Sequence, residues 1–165
     1  SIEHGNLMDE ETAQLMAEHN TAYVPTLTVY DVLSRQGREA GLDNSSLHKL
    51  RKVVDAGGQA LELAYRAGVK IGSGSDLIGP YQHLKGRELA PKAEVMTPME
   101  ALVSATRTNA EILGLAHELG TIEPGKLADL IVVQDNPLLN PGLFEQGLES
   151  VQVVIKNGQI VKNLL

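Results

Sequence analysis

The chain of 165 residues contains no cysteine. That excludes a disulfide framework and a thiolate nucleophile, and it leaves any metal site to histidine and carboxylate. Tryptophan is missing too, and aromatic residues make up only 3%. Base-stacking platforms and large protein-binding surfaces draw on aromatics, so neither is expected. Positive charge is scarce: the net charge is −7, and no run of five basic residues occurs. Nucleic acid and anionic membranes are therefore poor partners. No apolar run is long enough to span a bilayer. Phosphate-cradling motifs also fail. There is no G-x-x-x-x-G-K-[ST], and Gly72-Ser73-Gly74 would need its third glycine at Leu77.

What is present is globular. Hydrophobic residues make up 42% and charged residues 21%, enough for one domain with a real core. The opening Ser1-Ile2-Glu3-His4-Gly5 reads as the inside of a structural element, with no signal peptide before it. The chain is therefore expected to be a fragment, with the cytoplasm as default compartment.

One stretch organises the rest: Val69-Lys70-Ile71-Gly72-Ser73-Gly74-Ser75-Asp76. Val69 and Ile71 suit a strand buried on both faces. Gly72 and Gly74 allow close backbone approach, and Asp76 stands just past the strand's C-terminal end. In barrels of parallel strands that end carries the chemistry. Asp76 is then either a metal-binding, proton-handling carboxylate or the cap of a turn.

Ile2 to His4 reads as another strand end, followed by a turn. Asp9 caps a helix whose face is Thr12, Leu15, Met16 and His19. Ala22 to Val29 reads as a strand with an awkward Pro25, and Asp31 to Gln36 as one helical turn. Ser46 to Arg66 is a long helix weakened by Gly57-Gly58. The order strand, helix, strand, helix, strand means parallel βα units and an α/β fold. Leu77 to Val95 reads as a long loop carrying Tyr81, His83 and Arg87 as candidate substrate contacts. Thr97-Pro98-Met99-Glu100 opens a helix with a capping box. Leu119 to Val133 reads as strand, Pro-Gly turn, strand, and Asn157-Gly158 as a hairpin turn.

These features together resemble the C-terminal half of the metal-dependent amidohydrolase superfamily. Ser1-Ile2-Glu3-His4-Gly5 resembles the sixth barrel strand with its metal-ligand histidine. Gly72-Ser73-Gly74-Ser75-Asp76 resembles the eighth, with Ser75 where threonine is commoner. Ser104-Ala105-Thr106-Arg107-Thr108-Asn109-Ala110 is similar to the helix that follows. Leu119 to Val133 resembles the return strands of the β-sandwich domain. Ile2 to Leu7 and Tyr23 to Leu27 look most like the prolidase-related dipeptidases and carboxypeptidases.

The resemblance implies an α/β fold: the C-terminal part of a (β/α)8 TIM barrel over residues 1–116, then strands of a composite β-sandwich over 117–165. It implies hydrolysis of amide C–N bonds in Xaa-Pro dipeptides or related N-acyl amino acids. Two alternatives stay open: an imidazolonepropionase-like cyclic amidohydrolase, or a non-catalytic piece that needs a partner chain. The implied cofactor is a divalent metal, zinc by expectation, binuclear in the complete enzyme. His4 and Asp76 would ligate it, and Asp76 would also move the proton. The family's first-strand His pair, bridging Lys or Glu and fifth-strand His have no counterpart here. The chain alone is therefore expected to be inactive and to pair with a missing N-terminal half or with itself. His19, His48 and His117 read as surface or packing residues.

Overall fold

The computed structural model describes residues 1–145, 147 and 149–165. Three short segments lie side by side in parallel at its centre. Strand β1 (Ile2–Glu3) pairs with β2 (Tyr23–Val24), Ile2 opposite Tyr23 and Glu3 opposite Val24. On its other side Tyr23 bridges to Ile71. The ladder continues from Tyr23 N to Lys70 O at 2.9 Å and from Gly72 N to Tyr23 O at 2.8 Å. β2 thus stands between the segments that end in His4 and Asp76, which are next-but-one rather than adjacent.

Helix α1 (Glu10–Glu18) starts where Asp9 accepts from Thr12 N, with Glu10 and Glu11 favoured by the helix dipole. Its buried face is Ala13 and Met16; Leu15 and His19 point to solvent, contrary to the spacing read from sequence. The expected strand over 22–29 is cut short. Pro25 cannot donate to the ladder, Thr26 turns into the left-handed region (φ 49°), and helix α2 (Leu27–Gln36) begins at once. Helix α3 (Asn44–Arg66) runs unbroken through Gly57-Gly58. Gly57 is needed for contact: a Cβ there would lie 2.9 Å from both Asn6 Nδ2 and Leu27 Cδ2. Met16, Tyr23, Leu61, Ala64, Val69, Ile71 and Met96 close one core over the strip.

The segment after Asp76 is an ordered turn-rich run, not an open loop. A 3-10 stretch, Gly79–Glu88, leads into α4 (Leu89–Ala93), and Leu84, Glu88 and Lys92 are buried. Thr97 and Glu100 form the expected capping box on α5 (Pro98–Val103). A π-helical stretch (Ser104–Thr108) and α6 (Asn109–Ile112) continue it.

The remaining strands form a separate antiparallel sheet in the order β3 (Leu130–Val133), β4 (Val151–Lys156), β5 (Gln159–Asn163). Asn157 and Gly158, at φ 49° and 76°, make the two-residue turn. The earlier strand expected near Leu119 does not form. Gly120 lies against the π-helical stretch, where a Cβ would meet Ala110 and Arg107, so this backbone packs on a helix instead of pairing. No described helix is long and apolar enough to cross a membrane.

Candidate active site

The three parallel segments end on one side in unusual backbone. His4 (φ 70°), Thr26 (φ 49°) and Asp76 (φ 52°) all occupy the left-handed region. For non-glycine residues this costs on the order of 1–3 kcal/mol each, and such strain gathers where side chains must be aimed. It aims them here at one another. His4 Nδ1 lies 4.0 Å from Asp76 Oδ2, with the side chains 46% and 53% exposed. His4 Nδ1 is also 2.9 Å from Thr26 Oγ1. Tyr30 meets the His4 ring edge-on, at 6.2 Å between centroids. Burial, and secondarily the Asp76 carboxylate, raises the Tyr30 phenol above its usual pKa.

Asymmetric anchors hold these ends. Asn109 takes Ser73 by both backbone groups, accepting from N and donating to O at 2.8 Å each. Gly72 and Gly74 are required by the close approach of Val24, Asn109 and Ile112. With its amide oriented by the surrounding network, buried Asn6 donates to His4 O at 2.7 Å and Pro25 O at 3.0 Å.

Two residues not singled out in the sequence lie beneath. Glu88, 2% exposed, accepts from Leu27 N and Thr28 N at 2.9 Å and from Thr28 Oγ1 at 2.6 Å. Lys92, 0% exposed, donates to Gly72 O at 2.5 Å and to Ser104 Oγ at 3.4 Å. Burial lowers the Lys92 pKa to about 8, with the Glu88 charge opposing. Burial raises Glu88, opposed by Lys92 and by the Thr28 and Leu27 hydrogen bonds. The Tyr23 hydroxyl is buried without a hydrogen-bond partner among the described residues, and its pKa is raised by that burial and then by Glu88. The sequence signal was the Glu88–Lys92 spacing of four, one helical turn, inside a stretch taken for loop.

A cleft of about 520 Å³ opens beside Asp76, lined by Val29, Val32, Leu77, Ile78, Tyr81 and Glu39 among others. Tyr81 is therefore near the strand ends. His83 is not drawn in; its Nδ1 meets Pro80 O at 2.8 Å on the surface. Arg87 donates from Nε to Glu145 O at 2.9 Å and borders a different cleft. His19, His48 and His117 are exposed.

Among the described residues no three His, Asp or Glu side chains converge as a metal cage. What converges is one imidazole and one carboxylate, both half open. Thr26 engages Nδ1 of the imidazole, and no described hydrogen bond engages Nε2. A ligating histidine commonly has this arrangement, with its other ring nitrogen held by an oxygen. The pair fits part of a divalent-metal donor set, and two donors fall short of a closed site.

Comparisons with known proteins bear on the family of the chain. The Amidohydrolase family model matches residues 1–161. Ochratoxinase of Aspergillus niger is 32% identical over 163 residues, 98% of this chain and 34% of that protein. Imidazolonepropionase of Geobacillus kaustophilus is 40% identical over 68 residues, 41% of this chain and 16% of that one. A prolidase solved with N-methylphosphonate-L-proline superposes with TM-score 0.93 at 42% identity, over 98% of this chain and 40% of that chain. A Xaa-Pro dipeptidase with methionine bound in its active site superposes at 0.87 with 35% identity, over 98% and 39%. The chain thus spans between a third and two fifths of the relatives that it matches along its length. With its family model matched almost end to end, this chain belongs to the amidohydrolase family.

Proposed function

We propose that the chain supplies part of the active site of a metal-dependent hydrolase of amide bonds, acting on Xaa-Pro dipeptides or related N-acyl amino acids. The observation that carries this is the meeting of His4 and Asp76 at 4.0 Å across the ends of three parallel segments. Likeness to a prolidase and to a Xaa-Pro dipeptidase along nearly the whole chain supports the substrate class. The imidazolonepropionase likeness favours a cyclic amide as the second reading, but over less than half of the chain.

In this proposal His4 Nε2 and the Asp76 carboxylate hold a divalent cation, zinc by the imidazole and carboxylate chemistry. When bound, that cation polarises the scissile carbonyl and makes water more acidic. Asp76 accepts the proton of the attacking water and returns it to the leaving amine nitrogen. Thr26 keeps the imidazole oriented. Tyr81 and the apolar wall of the cleft receive a substrate side chain. The division into a barrel part over 1–116 and a β-sandwich part over 117–165 belongs to the same proposal, supported by the two separate sheets.

The test uses the complete protein that carries this chain. Loaded with zinc, it should hydrolyse Xaa-Pro dipeptides and lose activity with a chelator. Asp76→Asn should cut kcat by about a thousandfold, because it removes both a ligand and the proton carrier. Ring opening of imidazolonepropionate without dipeptide cleavage would move the assignment to the second reading. Full activity of Asp76→Asn would end both.

A further inference from the structure

Helix α2 begins in an unusual way. Its N-cap residue, Thr26, makes no side-chain cap bond. Threonine is a good N-cap when its backbone is extended, because its hydroxyl then reaches the amides of the first turn. Here the left-handed backbone (φ 49°) turns that hydroxyl away, to His4 Nδ1 at 2.9 Å. The first-turn amides still need an acceptor, since they are buried. They find it 60 residues further on in the Glu88 carboxylate, which takes Leu27 N, Thr28 N and Thr28 Oγ1. One helical turn later, Lys92 clamps the carbonyl of Gly72, where the loop that ends in Asp76 begins.

We infer that Glu88 and Lys92 are positioning residues for the candidate metal pair. Glu88 caps α2 in place of Thr26, which frees the Thr26 hydroxyl for His4 Nδ1; accepting there, with the Asp76 carboxylate 4.0 Å from the same nitrogen, it selects the Nδ1–H tautomer and leaves the Nε2 lone pair outward. Lys92 sets the start of the Asp76 loop from the same turn. An external cap allows what a local one does not, because one hydroxyl cannot serve the helix and the imidazole together. The inference rests on the proposed ligand role of His4 and Asp76, but its central claim concerns the metal-free protein.

The experiment is long-range proton–nitrogen NMR of the metal-free, histidine-labelled complete protein that carries this chain, at about pH 8.5, with His4 assigned by His4→Gln. His4 should show a single Nδ1–H tautomer. In Glu88→Met the helix loses its cap, Thr26 returns to the helix, and the single-tautomer signature of His4 should be lost. His83, whose Nδ1 faces Pro80 O, should keep its signals and serve as internal control. A folded Glu88→Met with the His4 signature intact overturns the inference.

Thr26 tests the same division of labour with Glu88 untouched, in case Glu88→Met does not fold. Thr26→Val should melt with the wild type and lose the His4 signature, and Thr26→Ser should restore it. Thr26→Val that melts earlier with the His4 signature unchanged would show Thr26 to be the cap and overturn the inference. Zinc titration of the wild type separates the two layers. If His4 signals ignore zinc while the variants behave as stated, the positioning stands and the ligand role falls.

Discussion

Lys92 sits without solvent contact in a protein of net charge −7, and among the described residues its hydrogen bonds go to a carbonyl and a hydroxyl. Its pKa falls from 10.5 unfolded to about 8 folded. Between those values the unfolded chain binds more protons than the folded one, so this group makes stability rise with pH. Below about 8 its full cost applies, and above 10.5 none does. At about 1.4 kcal/mol per unit, the wild type should gain roughly 3 kcal/mol across that window relative to Lys92→Met combined with Glu88→Gln. Urea unfolding at pH 7 and pH 10 measures the difference, and parallel pH profiles would refute it. Changing both residues matters, because removing one partner leaves the other charge buried alone.

At the scale of elements, the adjacent glycines of α3 should behave oppositely. Gly58 is open, with nothing within 4 Å of an added Cβ. Gly58→Ala should stabilise the chain by about 0.5–1 kcal/mol through backbone entropy and helix propensity. Gly57→Ala gains the same propensity but drives a methyl into Leu27 and into Asn6, which holds the His4 carbonyl. It should destabilise by about 1 kcal/mol net. Thermal melts of the two variants decide this; equal effects would contradict the close approach. The β4–β5 hairpin gives a second check. Asp129 accepts from Asn157 N and pairs with Lys156, which together hold its carboxyl below the usual pKa. That support is present above the unfolded value and is lost as pH falls through the folded one. Asp129→Asn should therefore loosen the hairpin at neutral pH and change little in strong acid. Amide exchange at Asn157 and Gly158 reads this.

At the scale of the molecule, the parallel strip has an outer edge at β1 that no described residue pairs, and apolar side chains such as Leu7, Ile131, Ile160 and Val161 are exposed. Open edges and apolar patches invite association. The 165-residue chain alone should self-associate in sedimentation. With excess zinc, it should hydrolyse Xaa-Pro and Xaa-Arg dipeptides no faster than a His4→Ala, Asp76→Ala control. Two donors hold a cation weakly, and no bridging carboxylate accompanies them among the described residues. Monomeric behaviour with clear turnover would show that these side chains suffice.

The sequence by itself determined the features whose cause is local. Asp9, the Thr97-Pro98-Met99-Glu100 box and Asn157-Gly158 act within four residues of themselves, so their physics is written in consecutive letters. His4 and Asp76 were legible as strand ends because glycines and β-branched runs mark where a buried strand stops. Tertiary structure alone decided the rest. The strand read over 22–29 became a helix start because an acceptor 60 residues away satisfies the amides of Leu27 and Thr28. Nothing near Thr26 announces its left-handed turn, since isolated threonine avoids it. Glu88 and Lys92 look like surface charges in a polar loop, and only packing buries them and turns them into anchors. Local propensity sets where elements begin. The closing of distant hydrogen bonds sets which side chains meet.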